Sequence, residues 1–163
     1  MISDKMQKAI NDQINAELFS SYLYLAMAAY FESENWTGFA AWMKIQSQEE
    51  YGHAMKFFKY LNDVDGKVIL EGIEKPKTEW KSPQQAFEEA HKHELYITDR
   101  INKLVELAIE EKDHAANIML NYFVSEQVEE VAIAAQIVNK FNLIGDNKSS
   151  LFFLDRELGM RAK

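Results

Sequence analysis

Residues 45–57 read IQSQEEYGHAMKF, and within them Glu50 and His53 stand where a helical pattern calls for apolar side chains. In the wider window Phe39, Met43, Gln46, Glu50, His53, Phe57, Tyr60 and Val64 recur at alternating gaps of four and three. That is the core-facing stripe of a bundle helix. At about 1.5 Å rise per residue, an i, i+3 pair lies one turn apart on one face, so a carboxylate and an imidazole can grip the same cation. Glu-x-x-His is also short enough to arise by chance, and its meaning depends on the other helices.

Three more stripes follow the same spacing. Ser3 can cap a helix on which Met6, Ile10, Gln13, Glu17, Ser20, Tyr24, Met27 and Phe31 line up, flanked by Ile14, Leu18, Leu25 and Ala28. The break at residues 33–35 is so short that helices one and two must be antiparallel neighbours. After a long irregular stretch, Ser82, Pro83 and Gln85 mark a helix start with a cap, a first-position proline and the makings of a capping box. The third stripe is Phe87, Ala90, Glu94, Ile97, Ile101, Leu104 and Ala108, and the fourth is Leu120, Phe123, Gln127, Glu130, Ala134, Ile137 and Phe141. Gly145 stops the fourth helix, and an apolar tail with Leu151, Phe152, Phe153, Leu154 and Leu158 predicts a short fifth helix used in assembly.

The spacing predicts an all-α fold: one domain over residues 1–163, with helices at about 4–33, 36–64, 83–111, 114–143 and 148–158 and a crossover at about 65–82. A helix of about 27 residues is roughly 40 Å long, a span that roughly 17 extended residues can cover, so helices two and three can run parallel. Val68, Ile69, Leu70 and Ile73 on the crossover need cover, from the bundle or from a neighbouring subunit.

Composition limits the chemistry. The chain has 163 residues, enough for a real core, with 47% hydrophobic and 27% charged residues. It has no cysteine, which excludes disulfides, thiolate zinc sites and cysteine-held iron-sulfur clusters. No apolar run approaches the roughly 20 residues of a membrane helix and no signal-peptide core is visible, so the reading is a soluble cytoplasmic protein without a membrane partner. A net charge of -8 disfavours nucleic acid and favours cations.

Each of the four stripes is interrupted near its middle by polar residues: Glu17, then Glu50 and His53, then Glu94, then Gln127 and Glu130. In any running direction these meet at about one level. Four buried carboxylates would cost several kcal/mol each unless protonated or paired, and no Lys or Arg lies on the stripes. Two divalent cations would balance four glutamates, with Glu50 or Glu130 bridging. Oxygen-rich ligation with one imidazole suits iron or manganese, with zinc a competitor. A buried polar network that merely sets register would use one or two polar positions, not six.

On these residues the chain resembles the bacterial non-haem ferritins along essentially its whole length, crossover and fifth helix included. The resemblance implies that Glu17, Glu50 and His53 bind one iron of a dinuclear ferroxidase centre, that Glu50, Glu94 and Glu130 bind the second, and that Gln127 lies close by. It further implies a third iron site from Glu49, Glu126 and Glu129 with Glu130, and a tyrosine at Tyr24 beside the irons that can donate an electron. Tyr51 stands where the haem-ligating methionine of bacterioferritins follows the first motif glutamate, so haem is not expected. His91, His93 and His114 read as surface or packing residues, and the methionines as core filler. What the resemblance implies functionally is iron storage: Fe(II) is oxidised by dioxygen or hydrogen peroxide and kept as Fe(III) mineral within a homo-oligomeric shell of 24 copies. The rival is a di-iron oxygenase subunit acting on an organic substrate; a non-catalytic helical signalling bundle fits the crossover but not the polar layer.

Overall fold

The computed structural model describes residues 2–162. Five helices form, α1 (Asp4–Ser33), α2 (Thr37–Asp63), α3 (Pro83–Glu110), α4 (His114–Ile144) and α5 (Lys148–Gly159), with no strand among the described residues. Side-chain caps set four of the starts. Ser3, Ser82, Asp113 and Asn147 accept from the backbone N–H groups of Met6, Gln85, Ala116 and Ser150. The Gln85 side chain accepts from Lys81 N at 2.7 Å, one residue earlier than a capping box would place it.

α1 packs along α2 and α3 along α4, each pair joined by a tight connection, and 64–82 carries the chain from the end of α2 to the start of α3. This is the four-helix bundle with one long crossover and a short added helix that the four stripes predict. The stripe residues of α1, α3 and α4 are all buried, as are those of α2 from Phe39 to Phe57. The flank of α1 is a partial exception. Ile14 and Ala28 are buried, but Leu25 is 48% exposed, because it lies about 100° around the helix from Tyr24.

The apolar core comes in two blocks. One gathers Met27, Phe31, Phe39, Met43, Phe87 and Phe141 and is closed by Trp80 of the crossover and Leu154 and Leu158 of α5. The other gathers Met6, Ile10, Phe57, Leu61, Ile101, Leu104, Leu120 and Phe123. Met160, by contrast with these core methionines, is exposed.

Besides Trp80 and Val68, which pack on the two blocks, polar side chains hold the crossover. Gln7, Asn11 and Asn15 repeat every four residues on α1 and meet its backbone in turn. Lys67 N donates to Gln7 Oε1 at 2.7 Å, Asn11 donates to Lys67 O and accepts from Ile69 N, and Asn15 donates to Gly72 O. Ile69, Leu70 and Ile73 stay exposed on the single chain. α5 docks on α2 by backbone contact: a Cβ at Gly38 would lie 1.8 Å from Asp155 O, and one at Gly159 would lie 2.9 Å from Gly38 Cα. Asp155 also accepts from Phe39 N at 2.8 Å.

Candidate metal centre

The polar interruptions fall between the two apolar blocks. Glu17, Glu50, Glu94, Gln127, Glu130 and His53 are all buried, together with Gln13, Ser20 and Gln46. They form a polar belt across the waist of the bundle, and the phenyl rings of Phe57 and Phe123, stacked at 4.0 Å, close one side of it beside the His53 ring.

Two groups of potential ligands form in the belt. One oxygen or nitrogen each from Glu17, Glu50 and His53 lie within 4.8 Å of one another, and so do oxygens from Glu50, Glu94 and Glu130. Glu50 belongs to both. Helical spacing explains two members of the first group, since His53 Nδ1 stands 3.3 Å from Glu50 Oε2 one turn away, and the packing of α1 on α2 adds Glu17. The second draws its acids from α2, α3 and α4, so only the bundle brings them together.

Electrostatics make this arrangement expensive without a cation. Burial pushes the Glu17 carboxyl well above the usual carboxylate range, and the charge of Glu50 adds to the effect. Burial likewise raises Glu50, reinforced by Glu94 and Glu130, and raises Glu130 to about 7. Glu94 is raised by burial as well, though the Tyr24 hydroxyl and the Gln127 amide partly offset it. Glu17 Oε2 is the one buried side-chain atom among the described residues that lacks a hydrogen-bond partner. An orphaned carboxylate oxygen, three further acids and one imidazole fit a hard divalent cation of the iron or manganese kind. Such ions replace the protons that the acids would otherwise keep.

The remaining predicted residues take different positions. The buried Tyr24 hydroxyl donates to Glu94. Gln127 presents its amide N–H groups, not its oxygen, to the Glu94 carboxylate at 3.2 Å and to Thr98 at 3.1 Å, so it braces Glu94 from behind. Glu126 lies 3.8 Å from His53 Nε2, Glu49 is paired with Arg161 at 2.5 Å, and Glu129 is exposed. Among the described residues, Glu49, Glu126 and Glu129 do not close with Glu130 into a compact group. His93 packs behind the belt. It meets Ser20 Oγ at 2.7 Å, and burial lowers it to about 4, so its ring is neutral.

Four residues that sequence reasoning did not assign to the site surround the acids. Gln13 donates to Glu17 Oε1 at 2.7 Å, and Gln46 donates to Glu50 Oε1 at 3.1 Å and Glu130 Oε2 at 2.7 Å. Behind each glutamine stands an arginine: Arg100 Nε donates to Gln13 Oε1 at 2.9 Å, and Arg161 Nη1 donates to Gln46 Oε1 at 2.8 Å. The signal for the glutamines was visible, because each lies four residues before a stripe glutamate. Nothing in the spacing signals the arginines, which come from an outer face of α3 and from beyond α5.

Comparison with known proteins agrees with this architecture. Residues 7–144 match the ferritin-like domain family. The chain is 46% identical over 161 residues to a bacterial non-heme ferritin of Bacteroides fragilis, covering 99% of this chain and all of that one. It is 36% identical to a bacterial non-heme ferritin of Staphylococcus aureus, covering 99% of this chain and 97% of that one. A solved open pore ferritin from the hyperthermophilic archaeon Archaeoglobus fulgidus superposes with a TM-score of 0.98 at 51% identity, covering 99% of this chain and all of that one.

Proposed function

We propose that this chain, which belongs to the ferritin family, stores iron by binding Fe(II) in the belt, oxidising it and passing Fe(III) to a mineral inside a hollow shell of its own copies. The observation that carries the reading is the pair of ligand groups sharing Glu50. In this reading Glu17, Glu50 and His53 hold one ferrous ion, and Glu50, Glu94 and Glu130 hold the other. Two divalent ions match four carboxylates in charge and so relieve a burial cost that the protein alone leaves unbalanced. The substrates are Fe(II) and dioxygen or hydrogen peroxide. Two ferrous ions release two electrons, which with two protons reduce dioxygen to hydrogen peroxide or hydrogen peroxide to water.

The protein's part is placement. The belt brings the two ions close enough to deliver their electrons together, and the stacked Phe57 and Phe123 rings shield it on one side. The hydrogen bond from Tyr24 to Glu94 supports a role as donor of one further electron to the oxidant, the phenol proton passing to that carboxylate. Glu49, Glu126 and Glu129, with Glu130, serve as an outer third iron site, and an ion there would displace Arg161 from Glu49.

Storage needs a cavity larger than a chain of 18.9 kDa can enclose. Leu143, Phe152 and Phe153 around α5, and Leu70 on the crossover, are all more than 60% exposed on the single chain, an apolar surface that suits contacts between copies. We assign these contacts to a 24-copy cytoplasmic shell in which the fifth helices meet. Among the described residues, no helix is long and apolar enough to cross a membrane.

An oxygenase acting on an organic substrate would need a chamber opening on the acids. Five surface clefts, including one of about 570 Å³ at the bundle end between Ser3, Tyr60 and Glu111, are lined by none of the belt's predicted ligands. Aerobic addition of Fe(II) combined with sizing tests the choice. Rapid oxidation of about two irons per chain in a large hollow particle is the expected result. Oxidation confined to a small oligomer would favour the oxygenase, and no oxidation would contradict both.

A further inference from the structure

We propose that Arg100 and Arg161 are positioning residues, each acting through a glutamine on one of the two ligand groups: Arg100 through Gln13 on Glu17, and Arg161 through Gln46 on Glu50 and Glu130. The proposal rests on the reading of the belt as a two-cation site and concerns how its oxygens are aimed.

The chemistry of the arginine decides the orientation of the amide. A guanidinium has donors and no acceptor, so the glutamine atom facing it must be the carbonyl oxygen. The amide NH₂ is then turned toward the carboxylates. Arg100 Nε lies 2.9 Å from Gln13 Oε1, and Gln13 Nε2 lies 2.7 Å from Glu17 Oε1. Arg161 Nη1 lies 2.8 Å from Gln46 Oε1, and Gln46 Nε2 reaches Glu50 Oε1 and Glu130 Oε2 at 3.1 and 2.7 Å. Each relay therefore occupies one oxygen of an acid and leaves the other for a cation. On Glu17 the oxygen left over is Oε2, the atom without a partner. On Glu50 it is Oε2, which faces His53.

Both arginines are held from behind. Arg100 donates to Asp12 O at 3.0 Å and to the Tyr96 hydroxyl at 3.2 Å. Arg161 pairs with Glu49 at 2.5 Å and lies over the Trp42 ring, with its Cζ 4.6 Å from the ring centre. Its side chain is only 19% exposed. The direction of Arg161 comes from the close approach of Gly159 to Gly38, which seats α5 on α2 and points the chain beyond it toward Gln46. The helix that carries the exposed Phe152 and Phe153 thus also sets a contact two residues removed from the acids.

The relays bear on the groups unequally, since Gln13 reaches only Glu17 of the first, whereas Gln46 reaches Glu130 of the second and the shared Glu50. This gives a crossed test that a general structural role would not reproduce. Zn²⁺, which is redox-inert, is titrated calorimetrically into the full-length metal-free wild type, Arg100→Ala, Arg161→Ala, Gln46→Leu and the Arg161→Ala/Gln46→Leu double variant. His53→Ala and Glu130→Ala identify the two binding steps. Arg161→Ala is expected to weaken the Glu50–Glu94–Glu130 step about tenfold, as loss of an outer hydrogen-bond partner does at metal sites, and the other step by a clearly smaller factor through the shared Glu50. Arg100→Ala should weaken the Glu17–Glu50–His53 step and spare the other. In the Gln46→Leu background, loss of Arg161 should add nothing, and Gln46→Leu tests the same relay should Arg161→Ala fail to fold. Two intact steps in both arginine variants, equal weakening of both steps in each, or a full additive loss in the double variant would overturn the relays while leaving the cation site standing. A wild type that binds no Zn²⁺ in the belt would overturn both.

Discussion

The Tyr24 hydroxyl on α1 donates to the Glu94 carboxylate on α3, between two apolar blocks and beside the second ligand group. Burial and the nearby Glu94 charge raise Tyr24 well above the usual phenol range, so at neutral pH it remains a proton donor. Tyr24→Phe removes the hydrogen bond and any electron from the ring but leaves its packing. Initial Fe(II) oxidation should fall no more than about tenfold, since none of the proposed ligands is lost. Freeze-quenched paramagnetic resonance should show a tyrosyl signal in the wild type that is absent from Tyr24→Phe. An identical signal in both would remove Tyr24 from the account.

Glu50 is the acid common to both groups, so its loss should harm function and help stability at once. Without metal its ionisation is opposed by burial and by Glu94 and Glu130. Glu50→Gln removes the ionisable group while keeping the shape, and it should raise the melting temperature of the metal-free chain, most at alkaline pH where the carboxyl is driven to ionise. The same change should slow initial Fe(II) oxidation by more than a hundredfold. His53→Ala, which touches one group, should be less severe but still slow oxidation at least tenfold. Wild-type rates in Glu50→Gln would move the chemistry elsewhere.

The raised carboxyls also fix a pH dependence. The Glu130 carboxyl is at about 7 in the folded chain, against a free glutamate near 4.3. Between these values the folded chain holds a proton that the unfolded chain has lost, so stability is full below about pH 4 and declines as pH rises through 7. For Glu130 alone the loss is roughly 4 kcal/mol, and Glu17, Glu50 and Glu94 act in the same direction. Thermal melts of the metal-free chain should show lower stability at pH 8 than at pH 5, and a saturating divalent cation should abolish or reverse the difference. A metal-free chain that gains stability over this range would contradict the electrostatic picture.

Gly38 tests how α5 is held. A Cβ there would overlap Asp155 O at 1.8 Å, and backbone cannot give way as a flexible side chain can. Gly38→Ala should cost about 3 kcal/mol or loosen α5 from α2. Because Phe152 and Phe153 lie on α5, sizing should show impaired assembly, and hydrogen exchange should rise in residues 148–159 while the rest of α2 stays protected. Unchanged assembly and exchange would show that α5 is seated by other contacts.

Much of this architecture is readable along the chain because one spacing governs it. A gap of four and three selects one face of a helix, and a polar residue on that face must be answered by something inside the bundle. Glu17, Glu50, His53, Glu94 and Glu130 are legible for that reason. Arg161 is not, since it lies outside any stripe and reaches Gln46 only through the docking of α5 at two glycines. The crossover shows the converse limit. Its apolar residues called for cover from the bundle or from a neighbouring subunit; Val68 finds it on the bundle, the backbone is held by Gln7, Asn11 and Asn15, and Ile69 and Leu70 face outward. Hydropathy shows that a residue needs cover but not whether its own chain supplies it. Outer acids such as Glu129 carry no periodic signal, because an exposed charge is ordinary at any helical position.

The central claim is that the belt exists to hold two ferrous ions. Crystals soaked anaerobically with Fe(II) and measured at the iron absorption edge test it most directly. The account predicts two anomalous peaks in each chain, one among Glu17, Glu50 and His53 and one among Glu50, Glu94 and Glu130, with Glu50 contacting both. Iron bound only outside the bundle, with the four carboxyls hydrogen-bonded to one another and to Gln13 and Gln46, would contradict it.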